Sequence, residues 1–89
     1  MSPRPDSAFL LKIITPKLVL VEADVDEVQI PSTEGYIGVL RGHRPLVVAL
    51  GRGALSYSQD GETESFEVEG GTAEIQPDRV LVFTRAVEG

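Results

Sequence analysis

Short runs of β-forming residues, separated by turn residues, recur about every 8–12 residues along this chain, the spacing of an all-β sandwich or barrel. The runs are Phe9–Ile14, Leu18–Val21, Val25–Ile30, Tyr36–Leu40, Leu46–Leu50, Ala54–Ser58, Ser65–Val68, Thr72–Ile75 and Val80–Thr84. Between them lie residues with turn chemistry of their own. Asp60-Gly61 is a hairpin signal because both residues tolerate positive φ. Gln76-Pro77-Asp78-Arg79 puts proline where its fixed φ suits the second position of a type I turn. Gly51-Arg52-Gly53 and Gly70-Gly71 are further breaks at which a helix is costly, and no stretch carries a sustained helical period.

The faces of these runs differ. Leu55 and Tyr57 alternate with Ser56 and Ser58, and Phe66 and Val68 alternate with Ser65, Glu67 and Glu69, so each strand has one wet face. Leu18–Val21 and Val80–Phe83 are apolar on both faces, which predicts that they lie centrally or against a partner. At 89 residues the chain is one domain, because halves of it would be too small to hold a core. Residues 1–7, with two prolines and no periodic pattern, read as a lead-in to a single domain over 8–89.

Charge and composition exclude several functions. Fourteen acidic residues against eight basic ones give a net charge of −6, which opposes nucleic-acid binding through phosphate neutralisation. The imbalance is local. Gly35–Gln59 contains Arg41, Arg44 and Arg52 and no acid, whereas Asp60–Asp78 contains seven acids and no base. Such asymmetry orients docking on charged partners, although a solvated acidic surface explains most of it. No cysteine is present, so thiolate chemistry and disulfides are absent. No apolar run approaches the length of a membrane-spanning helix.

Nothing in the sequence assembles a catalytic centre. His43 is the only imidazole, and it sits in a turn-like stretch between Arg41 and Arg44 with no acid nearby to orient it as a base. A lone loop histidine is more often a structural hydrogen-bonding residue. No metal-ligand spacing is present, and Gly35, Gly38 and Gly42 are not followed by the Lys-Ser/Thr pair of a phosphate loop. The sequence therefore predicts a non-catalytic protein without cofactor or metal.

Residues 31–46, from Pro31-Ser32-Thr33-Glu34-Gly35-Tyr36-Ile37-Gly38 through Arg41-Gly42-His43-Arg44-Pro45-Leu46, strongly resemble the signature of the F-type ATP synthase epsilon subunit. The likeness continues through Gly53-Ala54-Leu55 and Glu69-Gly70-Gly71-Thr72-Ala73-Glu74-Ile75-Gln76-Pro77, and ends in Val80-Leu81-Val82-Phe83. It covers nearly the whole chain from Phe9 onward.

This resemblance implies a ten-stranded β-sandwich at the foot of a rotor, packed on the gamma subunit and resting on the polar loops of the membrane-embedded c-subunit ring. Its role there is mechanical, coupling ion translocation to ATP synthesis. The protein would then sit on the cytoplasmic side of the bacterial inner membrane, associated with it only through the complex. The loop Glu34–Tyr36 and the turn around His43 are expected at the ring-facing end, so Glu34, Tyr36, Arg41, His43 and Arg44 become candidate contact residues.

Two departures stand out. The family commonly has proline where this chain has Arg41, and a small residue where it has Arg44. Family members also usually continue into a C-terminal two-helix hairpin that inhibits hydrolysis, whereas this sequence stops at Gly89, so the inhibitory latch is expected to be missing. A free-standing β-sandwich adaptor that docks an unrelated protein is the competing reading, since fold alone does not fix function.

Overall fold

The computed structural model describes residues 8–88, the last three by backbone alone. The predicted lead-in over residues 1–7 lies outside the described residues. Eight strands and no helix occur among the described residues: β1 (Phe9–Ile14), β2 (Val19–Val25), β3 (Glu27–Ser32), β4 (Gly35–Val39), β5 (Leu46–Ala49), β6 (Arg52–Gln59), β7 (Glu62–Gln76) and β8 (Arg79–Glu88). The expected class is therefore borne out, but the expected ten strands are eight. The main reason is β7, which runs 15 residues through the Gly70-Gly71 pair where the sequence predicts a break. A second difference is that Val25 closes β2 rather than opening the next run, and β3 begins at Glu27.

Pairing follows the order β2-β1-β8-β7-β6-β3-β4, with β5 on the remaining side of β7. Strand β7 belongs to both layers. Its first half pairs with β6 and its second half with β5, in one continuous antiparallel register. Residues 46–76 are thus a single long hairpin about Asp60-Gly61, folded over at Gly51 on one arm and Gly70-Gly71 on the other. One layer is β2-β1-β8-β7-β5 and the other is β7-β6-β3-β4. At the hairpin tip Asp60 and Gly61 have φ of 52° and 84°, the paired positive values of a type I′ turn whose twist matches the strands.

The corner demands glycine. Gly71 has φ +115°, and a Cβ there would lie on the carbonyl oxygen of Phe83 in the neighbouring strand. No side chain can occupy that space while β8 stays hydrogen-bonded to β7. The corner's backbone is satisfied locally. Leu50 N donates to Gly71 O at 2.9 Å, and the buried Thr84 hydroxyl donates to Gly70 O at 2.9 Å.

The core lies between the layers. From the first layer come Phe9, Leu11, Ile13, Val25, Ala73, Ile75, Val80 and Val82; the second contributes Val28, Ile30, Val39, Leu55, Tyr57 and Val68. In register they form rows, for example Val21, Ile13, Val82 and Ala73 across four strands. The predicted alternation of β6 holds, with Leu55 and Tyr57 buried. The Tyr57 ring stacks on Phe66 at 6.3 Å, and burial, aided by Glu64, pushes its phenol above the ordinary value. It is accordingly a neutral core residue at pH 7.

Of the two runs apolar on both faces, Val80–Phe83 lies centrally in β8 between β1 and β7, whereas Leu18–Val21 enters β2 at the edge of its layer. A bulge between Ile13 and Ile14 admits the extra residue Leu20. The edge strand therefore leaves Leu18, Val19 and Leu20 exposed.

Candidate interaction surfaces

Glu34 and Thr33 form the two-residue turn between β3 and β4. The turn is tied by Ser32, whose hydroxyl donates to Gly35 O at 2.5 Å and accepts from Glu34 N at 3.1 Å. This leaves the Glu34 carboxylate exposed at the tip. Tyr36 opens β4 opposite Pro31. Its ring is 60% exposed, yet its hydroxyl accepts a hydrogen bond from Ala54 N at 3.1 Å.

The cause is Pro31. The β3–β6 ladder ends at Gln29, and the Pro31 carbonyl accepts from Gly51 N at 2.9 Å instead of from Ala54, so the amide of Ala54 is left for the tyrosine to meet. Gly53 leaves the room, since a Cβ there would stand 2.9 Å from the Tyr36 hydroxyl oxygen. Tyr36 thus has a part in the fold as well as an exposed ring. Tyr36→Phe is expected to lower stability by about 1 kcal/mol, the usual net worth of such a bond, as measured by denaturant unfolding.

Arg41, His43 and Arg44 lie in the connection from β4 to β5, at the other end of β4. The connection is pinned to the same end of the sandwich as the start of β1 and the β7–β8 turn. Gly42 N donates to Pro77 O at 2.7 Å, His43 N to Leu40 O at 3.2 Å, and the Arg41 guanidinium to Ala8 O at 3.1 Å. The His43 ring is held by Nδ1 against Arg44 O at 2.7 Å. A carbonyl only accepts, so Nδ1 carries the proton and Nε2 is the free face of the ring. Arg44 itself is exposed and makes no side-chain hydrogen bond or ion pair among the described residues.

The five residues therefore do not form one cluster. Glu34 and Tyr36 stand at one end of β4, and Arg41, His43 and Arg44 at the other, about 13 Å apart along a five-residue strand. At the open side of the sandwich the two layers end in edge strands β4 and β5. A shallow groove of about 390 Å³ runs between them, lined by residues 32–37 and 46–49.

A second surface is more apolar. On the outer face of the first layer, register aligns Val19, Ile14, Phe83 and Thr72 across four strands. Val19 is 51% and Phe83 38% exposed, and a hollow lined by Ile14, Thr15, Pro16, Phe83, Thr84 and Arg85 opens beside them. The turn leading into β2 presents this edge. The Thr15 hydroxyl accepts from Lys17 N and Leu18 N, while Thr15 N donates to Leu18 O at 2.9 Å. The outer face of the other layer carries Ser56, Ser65, Ser58, Thr63 and Gln29 in register, with the exposed ring of Tyr36 beside them.

This row of exposed apolar side chains makes the outer face of the first layer a candidate contact face. The candidate residues from the sequence do not include it, although the two-sided apolar runs Leu18–Val21 and Val80–Phe83 carried its signal.

No group of three or more metal-ligating side chains gathers among the described residues, and no helix long and apolar enough to cross a membrane occurs there. The seven acids of Asp60–Asp78 line the β7 arm, and Glu62, Glu64, Glu67, Glu69 and Asp78 are exposed to solvent. The Lys12–Glu22 pair, 3.7 Å apart across β1 and β2, is a surface contact of little energetic weight.

Residues 8–89 match the family described as ATP synthase, Delta/Epsilon chain, beta-sandwich domain. The chain belongs to this family. It is 39% identical over 80 residues to the ATP synthase epsilon chain of Koribacter versatilis, covering 90% of this chain and 56% of the relative. It is 42% identical over 78 residues to that of Solibacter usitatus, covering 88% and 58%. The epsilon chain of Bacillus subtilis is 37% identical over 78 residues, covering 88% and 59%. The chain thus spans between half and two thirds of the length of these relatives.

The same fold occurs in a chain of the Euglena gracilis mitochondrial ATP synthase, solved as OSCP/F1/c-ring. That likeness has a TM-score of 0.86 at 22% identity and covers 98% of this chain and 56% of that one. It shows a shared fold.

Proposed function

We propose that this domain is a non-catalytic coupling element of an F-type ATP synthase rotor. It joins the gamma subunit to the c-subunit ring, so that ion translocation and ATP synthesis turn as one body. In a bacterium it works on the cytoplasmic side of the inner membrane, held there only through the complex. The observation that carries the reading is the apolar outer face of the first layer in a sandwich of the ATP synthase Delta/Epsilon family. A face of this kind on a small acidic domain fits a protein partner, and gamma is that partner. The open side of the sandwich, with Glu34, Tyr36, Arg41, His43 and Arg44, is turned to the c-ring.

The reading is tested by binding the 89-residue chain to purified gamma and to gamma assembled on its c-ring. A one-to-one complex is expected. Val19→Glu with Phe83→Glu places two buried charges in the interface and weakens gamma binding by about a hundredfold. Both residues are solvent-exposed, so the variant keeps its unfolding midpoint to within a few degrees. Wild-type chain that fails to bind gamma overturns the rotor reading in favour of an adaptor for an unrelated protein.

A further inference from the structure

Strands β4 and β5 are both edges of their layers, and a groove, the seam, is lined by residues 32–37 on one wall and 46–49 on the other. The β3–β4 turn closes one end of it, where Thr33 N donates to Ala49 O at 3.1 Å beside a bridge between Ser32 and Leu50. The direction of each backbone group in the seam follows from its neighbours. Pro31 has no N–H, so its partner Tyr36 occupies a position that exchanges no ladder bonds with β3, and Gly38, two residues on, occupies the next such position. Their N–H and C=O groups point away from β3, to the free edge of β4. On the opposite wall Leu50 N bonds to β7, so Val48 and Leu46 also face β7 while Val47 turns its N–H and C=O into the seam.

The side chains agree with the backbone. Tyr36 at 60% and Val47 at 67% are the two most exposed large apolar residues described, and they line this groove. Glu34 lines it, and the exposed Arg44 stands two residues before Leu46, the first residue of its other wall. Arg44 is held in place by the His43 ring on its carbonyl and by Pro45 behind it, which restricts its backbone to extended geometry.

We propose that the seam takes an extended protein segment by strand addition to β4. The segment has a basic residue beside Glu34, an apolar residue over Tyr36 and Val47, and an acidic residue beside Arg44. The two charges are about four or five residues apart, the length of β4. The main chain supplies affinity, and the two charges set the segment's direction. The proposal rests on the rotor reading only for its source of the segment, which is the rotor face turned to this side of the sandwich.

The test is amide hydrogen exchange on the 89-residue chain, free and bound to purified gamma on its c-ring. On binding, the amides of Tyr36, Gly38 and Val47 should slow by about tenfold or more, while Ile37 and Val48 are already slow in the free protein. Val47→Pro removes one N–H from the seam at an edge position where the β7 ladder does not use it, so it should fold and bind about tenfold more weakly. Val47→Ile keeps the N–H and should bind as wild type does. Should Val47→Pro fail to fold, the exchange of the wild-type amides still decides the matter. Binding with those three amides as fast as in the free chain overturns strand addition and leaves the rotor reading intact. No binding of wild type overturns both.

Discussion

Replacing Gly71 by alanine should cost about 3–5 kcal/mol, a large share of the total stability of about 5–15 kcal/mol usual for a domain. Two effects add. The backbone at φ +115° is one that a side chain strains by about 1–3 kcal/mol. The new methyl group would also occupy the place of the Phe83 carbonyl, and Phe83 cannot move outward. It is paired in β8 with β1 on one side and β7 on the other, so relief means breaking ladder bonds in the middle of a layer. Gly42→Ala is the control, with φ +88° and no atom near the added carbon, and it should cost only about 1 kcal/mol. Urea unfolding of the two variants separates strain from collision. Equal, small losses would show that the corner yields.

Ile13→Ala should cost about 3–4 kcal/mol, the range for a large aliphatic side chain removed from a site that cannot collapse. Ile13 is fully buried and sits in a row with Val21, Val82 and Ala73 across four strands. The rigid ladders on both sides keep the cavity open. For a domain of this size the loss lowers the midpoint of thermal unfolding by about 12–32 °C, while Ile13→Val should lower it by only about 2–12 °C. A drop for Ile13→Ala no larger than that for Ile13→Val would mean the two layers close over the gap. Gamma binding measured below the midpoint should be unaffected, because the outer face is built on the opposite side of the same strands.

Much of the sandwich was legible from local chemistry. Alternation in Leu55–Ser58 gave the buried side of β6, and Asp60-Gly61 its turn, because both depend on residues a few positions apart. The errors came where distant strands decide. Gly70-Gly71 reads as a break, yet β5, β6 and β8 hold β7 together across it and turn the pair into a corner. Tyr36 reads as an exposed loop residue with no part in the fold. Its hydroxyl instead meets the amide of Ala54, 18 residues away, which Pro31 has left without a ladder partner.

The contact residues show the same division. Sequence alone determined an all-β, acidic, cysteine-free chain with one histidine, and placed Glu34, Tyr36, Arg41, His43 and Arg44 in or beside turns, since turn and strand preferences are properties of neighbouring residues. Only the tertiary structure decided that these five stand at the two ends of β4 rather than share one end. It alone made Leu18–Val21 an exposed edge while burying Val80 and Val82 at the centre of their layer. The physical reason is that a run apolar on both faces records only that water is unfavourable to it. Whether a neighbouring strand or another protein removes that water depends on the order of strands in the layers, which short-range preferences do not encode.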